Sequence, residues 1–82
     1  MTRPQLKLKN YLVKQGLLKS KAMKEAFTKV NRKDFVLKEN TLLAYEDFPI
    51  PIGFGQTISQ PSTVAFMLDL LDIEPGQKIL DV

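Results

Sequence analysis

The sequence predicts an α/β chain that is mostly helical, with a helical part over 1–46, a loop over 47–61, and a helix followed by a strand over 62–82. Three observations carry this reading. Apolar residues recur at helical spacing in two stretches before Asn31 and again after Pro61. Pro49, Pro51, Gly53, Gly55 and Pro61 crowd into one segment that no long helix can cross. The closing Lys78, Ile79, Leu80, Asp81 and Val82 read as an apolar strand.

The first helix is expected from Pro4 to Gln15, with Leu8, Tyr11 and Leu12 near helical spacing, Pro4 in the first turn and Gly16 as the stop. Ser20 suits the cap of a second helix, in which Ala22, Met23, Ala26, Phe27 and Val30 form one stripe while Lys21, Lys24, Glu25 and Lys29 face outward. From Asn31 to Glu46 only short apolar clusters remain, which predicts turns or a short helix. Asp47 to Pro61 reads as an ordered loop with short extended pieces, the kind of segment in which binding sites are built. Val64, Met67, Leu68 and Leu71 then mark a third helix starting at or near Pro61, and Pro75 and Gly76 close the connection that follows. Phe27, Phe35 and Phe66 are expected in the core.

With 82 residues the chain makes at most one small domain, below the ~100 to 150 residues usual for an independent one, so a complete enzyme is not expected. Hydrophobic residues at 44% and charged residues at 26% match soluble globular chains and argue against disorder. There is no cysteine and no histidine, which excludes disulfides, thiolate or imidazole metal sites and every His-dependent triad within the chain. The longest apolar run, Val64 to Leu68, is five residues against the ~18 or more of a membrane span, and the amino terminus lacks a signal-type apolar region. A reduced, soluble, cytoplasmic protein without membrane contact is expected.

The net charge of +3 hides an asymmetry. Through Lys33 ten Lys or Arg face Glu25 alone, giving +9; from Asp34 two lysines face eight acids, giving −6. A basic front half suits either a small nucleic-acid-binding helical module or amphipathic helices with solvated lysine faces. The lysines are spread along the segment instead of forming a block, which favours solvated faces, and nothing after Asp34 supports nucleic acid.

From Arg32 onward a series of residues points to a family: Arg32 with Phe35 and Val36; Ala44, Tyr45 and Asp47; Pro49 through Gly53; Gly55 through Pro61; Val64, Ala65 and Met67; Leu70 and Leu71; Pro75, Gly76 and Lys78; and the Ile79 to Val82 segment. In kind and order they resemble the front of the protein-L-isoaspartate O-methyltransferases. Single pieces are weak signals, but the run from Gly53 to Pro61 with its spaced flanks is specific. Asn31 and Leu37 stand where the family commonly has prolines, which bears on turn geometry.

The resemblance implies a helical part plus the first strand of a Rossmann-like class I methyltransferase, a doubly wound sheet whose Gly-x-Gly-x-Gly loop would follow Val82. It also implies S-adenosylmethionine as cofactor and, as substrates, proteins and peptides bearing L-isoaspartyl or D-aspartyl residues, in protein repair. Ser59 matches the position the family uses at its active centre, where a hydroxyl would orient the acceptor carboxylate. Gln56, Thr57, Ile58 and Ser59 would line the cofactor, Gly53 and Gly55 would let the loop approach closely, and Asp81 would order the cofactor loop or meet the methionyl ammonium.

By residue type alone, Thr57 and Ser59 equally suit turn stabilisation or capping of the helix after Pro61, and Asp81 suits a cap of the next turn. Tyr45 and Asp47 read as a packed aromatic and a turn-forming acid. The 82 residues alone are expected to be inactive because the glycine loop that would cradle the cofactor is not among them, and the last strand is expected to be poorly protected or paired between chains, because an isolated central strand leaves both edges open.

Overall fold

Thr2 starts the first helix. In the computed structural model, which describes residues 2–82, its side chain accepts from the Gln5 amide and α1 runs Arg3–Lys14. Gly16, at φ +75°, ends it with paired backbone bonds from Gly16 to Val13 and from Leu17 to Leu12, the reverse turn that satisfies a helix's last carbonyls. Ser20 caps α2 (Lys21–Lys29) as its side chain suggests, accepting from the Met23 amide at 3.1 Å. The two helices start and stop within a residue or so of where the sequence puts them.

The weakly patterned middle forms two 3₁₀ turns, Arg32–Phe35 and Lys38–Leu43. A two-stranded antiparallel hairpin follows, β1 (Ile50–Gly53) and β2 (Gln56–Ile58), and then α3 (Pro61–Leu71). Leu8 and Leu12 of α1, Leu18 of the connection and Ala65 of α3 form the buried cluster, with Met23, Phe27 and Tyr45 packed against it.

An unforeseen polar contact fastens α1 to α2. Gln5 is buried, and its Nε2 donates to the Thr28 carbonyl at 2.8 Å, with the Phe27 and Val30 carbonyls at 3.4 and 3.5 Å. Those carbonyls belong to the last turn of α2, where no intrahelical donor is left. Gln5 therefore supplies α2 with a C-terminal cap from another helix.

Several expectations are corrected. Phe27 packs against the core, but Phe35 is 60% and Phe66 48% exposed. On α3 the buried positions are Pro61 and Ala65, four residues apart, and Phe66 is rotated about 100° from that line. Met67 and Leu71 of the expected stripe, and Val30 of α2, are also exposed. The segment from Lys78 to Val82 pairs with nothing among the described residues, so it forms no ladder here. Ile79, Leu80 and Val82 stand exposed there.

Candidate active site

The proline- and glycine-rich segment, expected as an ordered loop with short extended pieces, folds as the hairpin. Ile50 lies opposite Ile58, Pro51 opposite Thr57 and Gly53 opposite Gln56, with an irregularity between Pro51 and Gly53. Phe54 at φ 57° and Gly55 at φ 70° make the turn, both in the left-handed region that two-residue hairpins require. Asn40 of the second 3₁₀ turn donates to the Pro51 carbonyl at 3.2 Å and ties β1 to the layer beneath. Gly53 at φ +96° and Gly55 at φ +70° take left-handed backbone that the turn requires, and a Cβ built on either would meet nothing within 4 Å.

Ser59 leaves β2 just before α3. Its carbonyl accepts from Arg32 Nη2 at 2.8 Å, a contact across 27 residues of sequence. Three residues on, the Ser62 amide donates to Asp47 Oδ1 at 2.8 Å. Gln60, the residue at the N-cap of α3, makes no side-chain capping bond, so Asp47 performs that service from outside the helix. Neither the Ser59 nor the Thr57 hydroxyl caps α3, and among the described residues neither makes any hydrogen bond. Asp47, expected to shape a local turn, acts on a helix start fifteen residues away. The sequence held one signal for this: Pro61 opens a helix whose preceding residue, Gln60, is not a strong capping type.

Arg32 sits in a partly dry setting. Burial pushes its guanidinium pKa down from the ordinary value, while the Asp47 carboxylate and then Tyr45 oppose the shift. Tyr45 is pushed up, chiefly by burial and further by the Asp34 charge, with Arg32 pulling the other way. The Lys33 amide would also lower it, but that N–H is already given to Asn31 Oδ1 at 3.3 Å. Arg32 Nε and Tyr45 Oη are thus buried without a hydrogen-bond partner among the described residues.

A cleft of about 330 Å³ brings Ser59 and Asp81 together, walled by Thr63, Met67 and Leu71 of α3 and by Ile79 and Leu80. Gln56, Thr57 and Ile58 do not line it; Gln56 and Thr57 are exposed on β2 and Ile58 is half-buried. Asp81 reaches it from the unpaired segment and not from the end of a strand. A second, apolar cavity of about 240 Å³ contains Gln5, Phe27, Arg32 and Tyr45, and Val64 and Leu68 line both spaces. The first cleft is lined by a hydroxyl residue and a carboxylate residue among apolar walls. No cluster of three potential metal ligands and no helix long and apolar enough to cross a membrane occurs among the described residues.

A family model described as Protein-L-isoaspartate(D-aspartate) O-methyltransferase matches residues 3–82. The chain is 45% identical over 71 residues to the protein-L-isoaspartate O-methyltransferase of Methanothermobacter thermautotrophicus, covering 87% of this chain and 33% of that one. To the proteins of the same name from Aeropyrum pernix and Pyrobaculum islandicum it is 49% and 43% identical over 77 residues, covering 94% of this chain and 30% and 37% of theirs. It therefore spans about a third of the length of the curated relatives it matches. The order of motifs from Arg32 to Val82 and the match across residues 3–82 lead to one conclusion: the chain belongs to the protein-L-isoaspartate(D-aspartate) O-methyltransferase family.

Proposed function

We propose that the chain is the front part of a Rossmann-like, S-adenosylmethionine-dependent enzyme that methylates L-isoaspartyl and D-aspartyl carboxylates in damaged proteins and so serves their repair. The observation that carries this reading, beside the family, is the cleft shared by Ser59 and Asp81. Its residues suit a cationic donor with apolar parts: a carboxylate to attract positive charge, and Met67, Leu71 and Ile79 as apolar wall. Bound S-adenosylmethionine supplies a methyl group made electrophilic by its sulfonium.

The acceptor is a carboxylate with a pKa near ~4, ionised at neutral pH, so the chain needs no general base. That agrees with a sequence without histidine. What it must do is hold the acceptor oxygen in line and keep water out. The Ser59 hydroxyl, with no partner among the described residues, is free to donate a hydrogen bond to that carboxylate. Asp81 orders the cofactor loop or meets the methionyl ammonium, and Gln56, Thr57 and Ile58, which lie outside the cleft, border the cofactor beyond it from β2. By themselves the 82 residues are not expected to transfer a methyl group, since Asp81 sits on an exposed, unpaired segment.

Ser59→Ala in a full-length methyltransferase carrying this segment tests the reading. Loss of one positioning hydrogen bond is expected to raise the barrier by ~1 to 3 kcal/mol, roughly tenfold to a hundredfold in rate. Melting is expected to change by less than ~1 kcal/mol, and the pH profile above about pH 6 to keep its shape. Unchanged turnover, or a loss explained by unfolding alone, would return Ser59 to a turn-stabilising role.

A further inference from the structure

We propose that Arg32, supported by Asp47, is the positioning residue of the candidate active-site loop: the two side chains grip the backbone on either side of Gln60 and Pro61 and thereby fix where the Ser59 hydroxyl points. This rests on the reading of Ser59 given above and adds to it the device that aims the hydroxyl.

The anchoring of Ser59 is sparse. Before it, Ile58 is held in the hairpin ladder opposite Ile50; after it, the Gln60 carbonyl accepts from the Val64 amide at 3.0 Å. Between these points the backbone of Ser59 has one hydrogen bond among the described residues, from Arg32 Nη2 at 2.8 Å. That bond orients the peptide plane joining Ser59 to Gln60. Pro61 restricts Gln60 to extended backbone, observed at φ −56° and ψ 135°, so the orientation is passed rigidly into α3. On the far side Asp47 holds the Ser62 amide at 2.8 Å.

Arg32 and Asp47 come from separate parts of the layer beneath, the first 3₁₀ turn and the stretch before β1. They form no direct ion pair within 4 Å among the described residues, yet the carboxylate is near enough to favour the charged guanidinium. A guanidinium suits this task because its planar fork approaches a carbonyl with fixed geometry, whereas an ammonium on a flexible stem does not. Arg32 and Asp47 do not line the cleft that holds Ser59. Their effect on chemistry must therefore pass through the loop.

The test uses a full-length methyltransferase carrying this segment, with Arg32→Met, Arg32→Lys, Asp47→Asn, Ser59→Ala and the double variant Arg32→Met/Ser59→Ala, assayed with an isoaspartyl peptide and S-adenosylmethionine. Misplacement of a reacting group by about 1 Å costs about a hundredfold in rate. Arg32→Met is accordingly expected to lower kcat by about that factor while KM for the peptide stays near its starting value, and Arg32→Lys to recover part of the loss. Asp47→Asn keeps an oxygen for the Ser62 amide but loses the charge facing Arg32, so kcat should fall with little change in Tm.

The deciding comparison is the double variant. If Arg32 acts through Ser59, Arg32→Met adds little once the hydroxyl is gone. Losses that multiply in the double variant, or a loss in Arg32→Met that follows Tm alone, would overturn the inference while leaving the role of Ser59 intact. Unchanged kcat in Asp47→Asn would remove Asp47 from it. Unchanged kcat in Ser59→Ala would overturn the proposed role of Ser59, and this inference with it.

Discussion

Replacing Phe54 by Asn should make the protein more stable, although it removes a large apolar side chain. Phe54 occupies the first central position of the hairpin turn at φ 57°, where an L-residue with a bulky side chain pays for the approach of its Cβ to the backbone. The penalty is about 1 to 2 kcal/mol, and Asn is among the few non-glycine residues that tolerate the left-handed region. Against this gain no burial is lost, because Phe54 is 102% exposed, as open as in an extended chain. The net expectation is stabilisation of about 1 kcal/mol, which for a chain of this size corresponds to a rise in Tm of about 4 to 8 °C. Phe54→Gly should fall between Asn and Phe, since relief of strain is offset by the roughly 0.5 to 1 kcal/mol that glycine's freedom costs through the unfolded state. Thermal and urea unfolding followed by circular dichroism, with unchanged m-values, would measure the order. An Asn variant melting at or below the parent would refute the reasoning and show that Phe54 has compensating contacts.

Gln5→Met keeps the volume in the α1–α2 contact but leaves the α2 carbonyls without their donor, and denaturant melts should show a loss of about 1 to 3 kcal/mol. Tyr45→Phe deletes a buried hydroxyl that has no partner among the described residues, so stability at neutral pH should be unchanged or higher. The Tyr45 pKa is raised above the ordinary 10.0 in the folded state, so its contribution is constant below about pH 10 and is lost as pH rises through the folded value. Melts between pH 9 and 12 should therefore show a shallower alkaline decline in Tyr45→Phe than in the parent, and parallel curves would contradict this.

Local signals were legible where one stretch of chain decides its own structure. The Ser20 cap, the Gly16 stop and the helical spacing of Leu8 and Leu12 each act within a few residues, and the structure follows them. In α3 periodicity was ambiguous because apolar side chains surround much of the helix, so it could not tell the Pro61 and Ala65 face from that of Phe66, Met67 and Leu71. The Lys78 to Val82 segment has the composition of a strand, but a strand also needs a neighbour. At the candidate site the motif from Gly53 to Pro61 was visible; that Ser59 and Asp81 line one cleft was not foreseen. The contacts that organise it were not, because Gln5 to Thr28, Arg32 to Ser59 and Asp47 to Ser62 join residues 15 to 27 positions apart. Each is a polar side chain meeting a backbone group, and backbone groups leave no trace in the sequence.

The remote cap on α3 also bears on the order in which the molecule folds. A helix capped by its own preceding residue can complete its first turn as soon as that turn forms, whereas the cap of α3 comes from Asp47 across 15 residues and the bond to the Ser59 carbonyl just before it from Arg32 across 27. The longer closure costs only about 0.5 kcal/mol more chain entropy than the shorter, yet both must follow collapse of the segments between them. Contacts of this kind are expected to form after the rate-limiting step; substitutions at Arg32 and Asp47 should then have φ-values near zero, hastening unfolding while leaving the folding rate almost untouched, and φ-values near one would refute this. On that expectation the grip on the Ser59 loop would set how long the assembled site persists, not how quickly it is made.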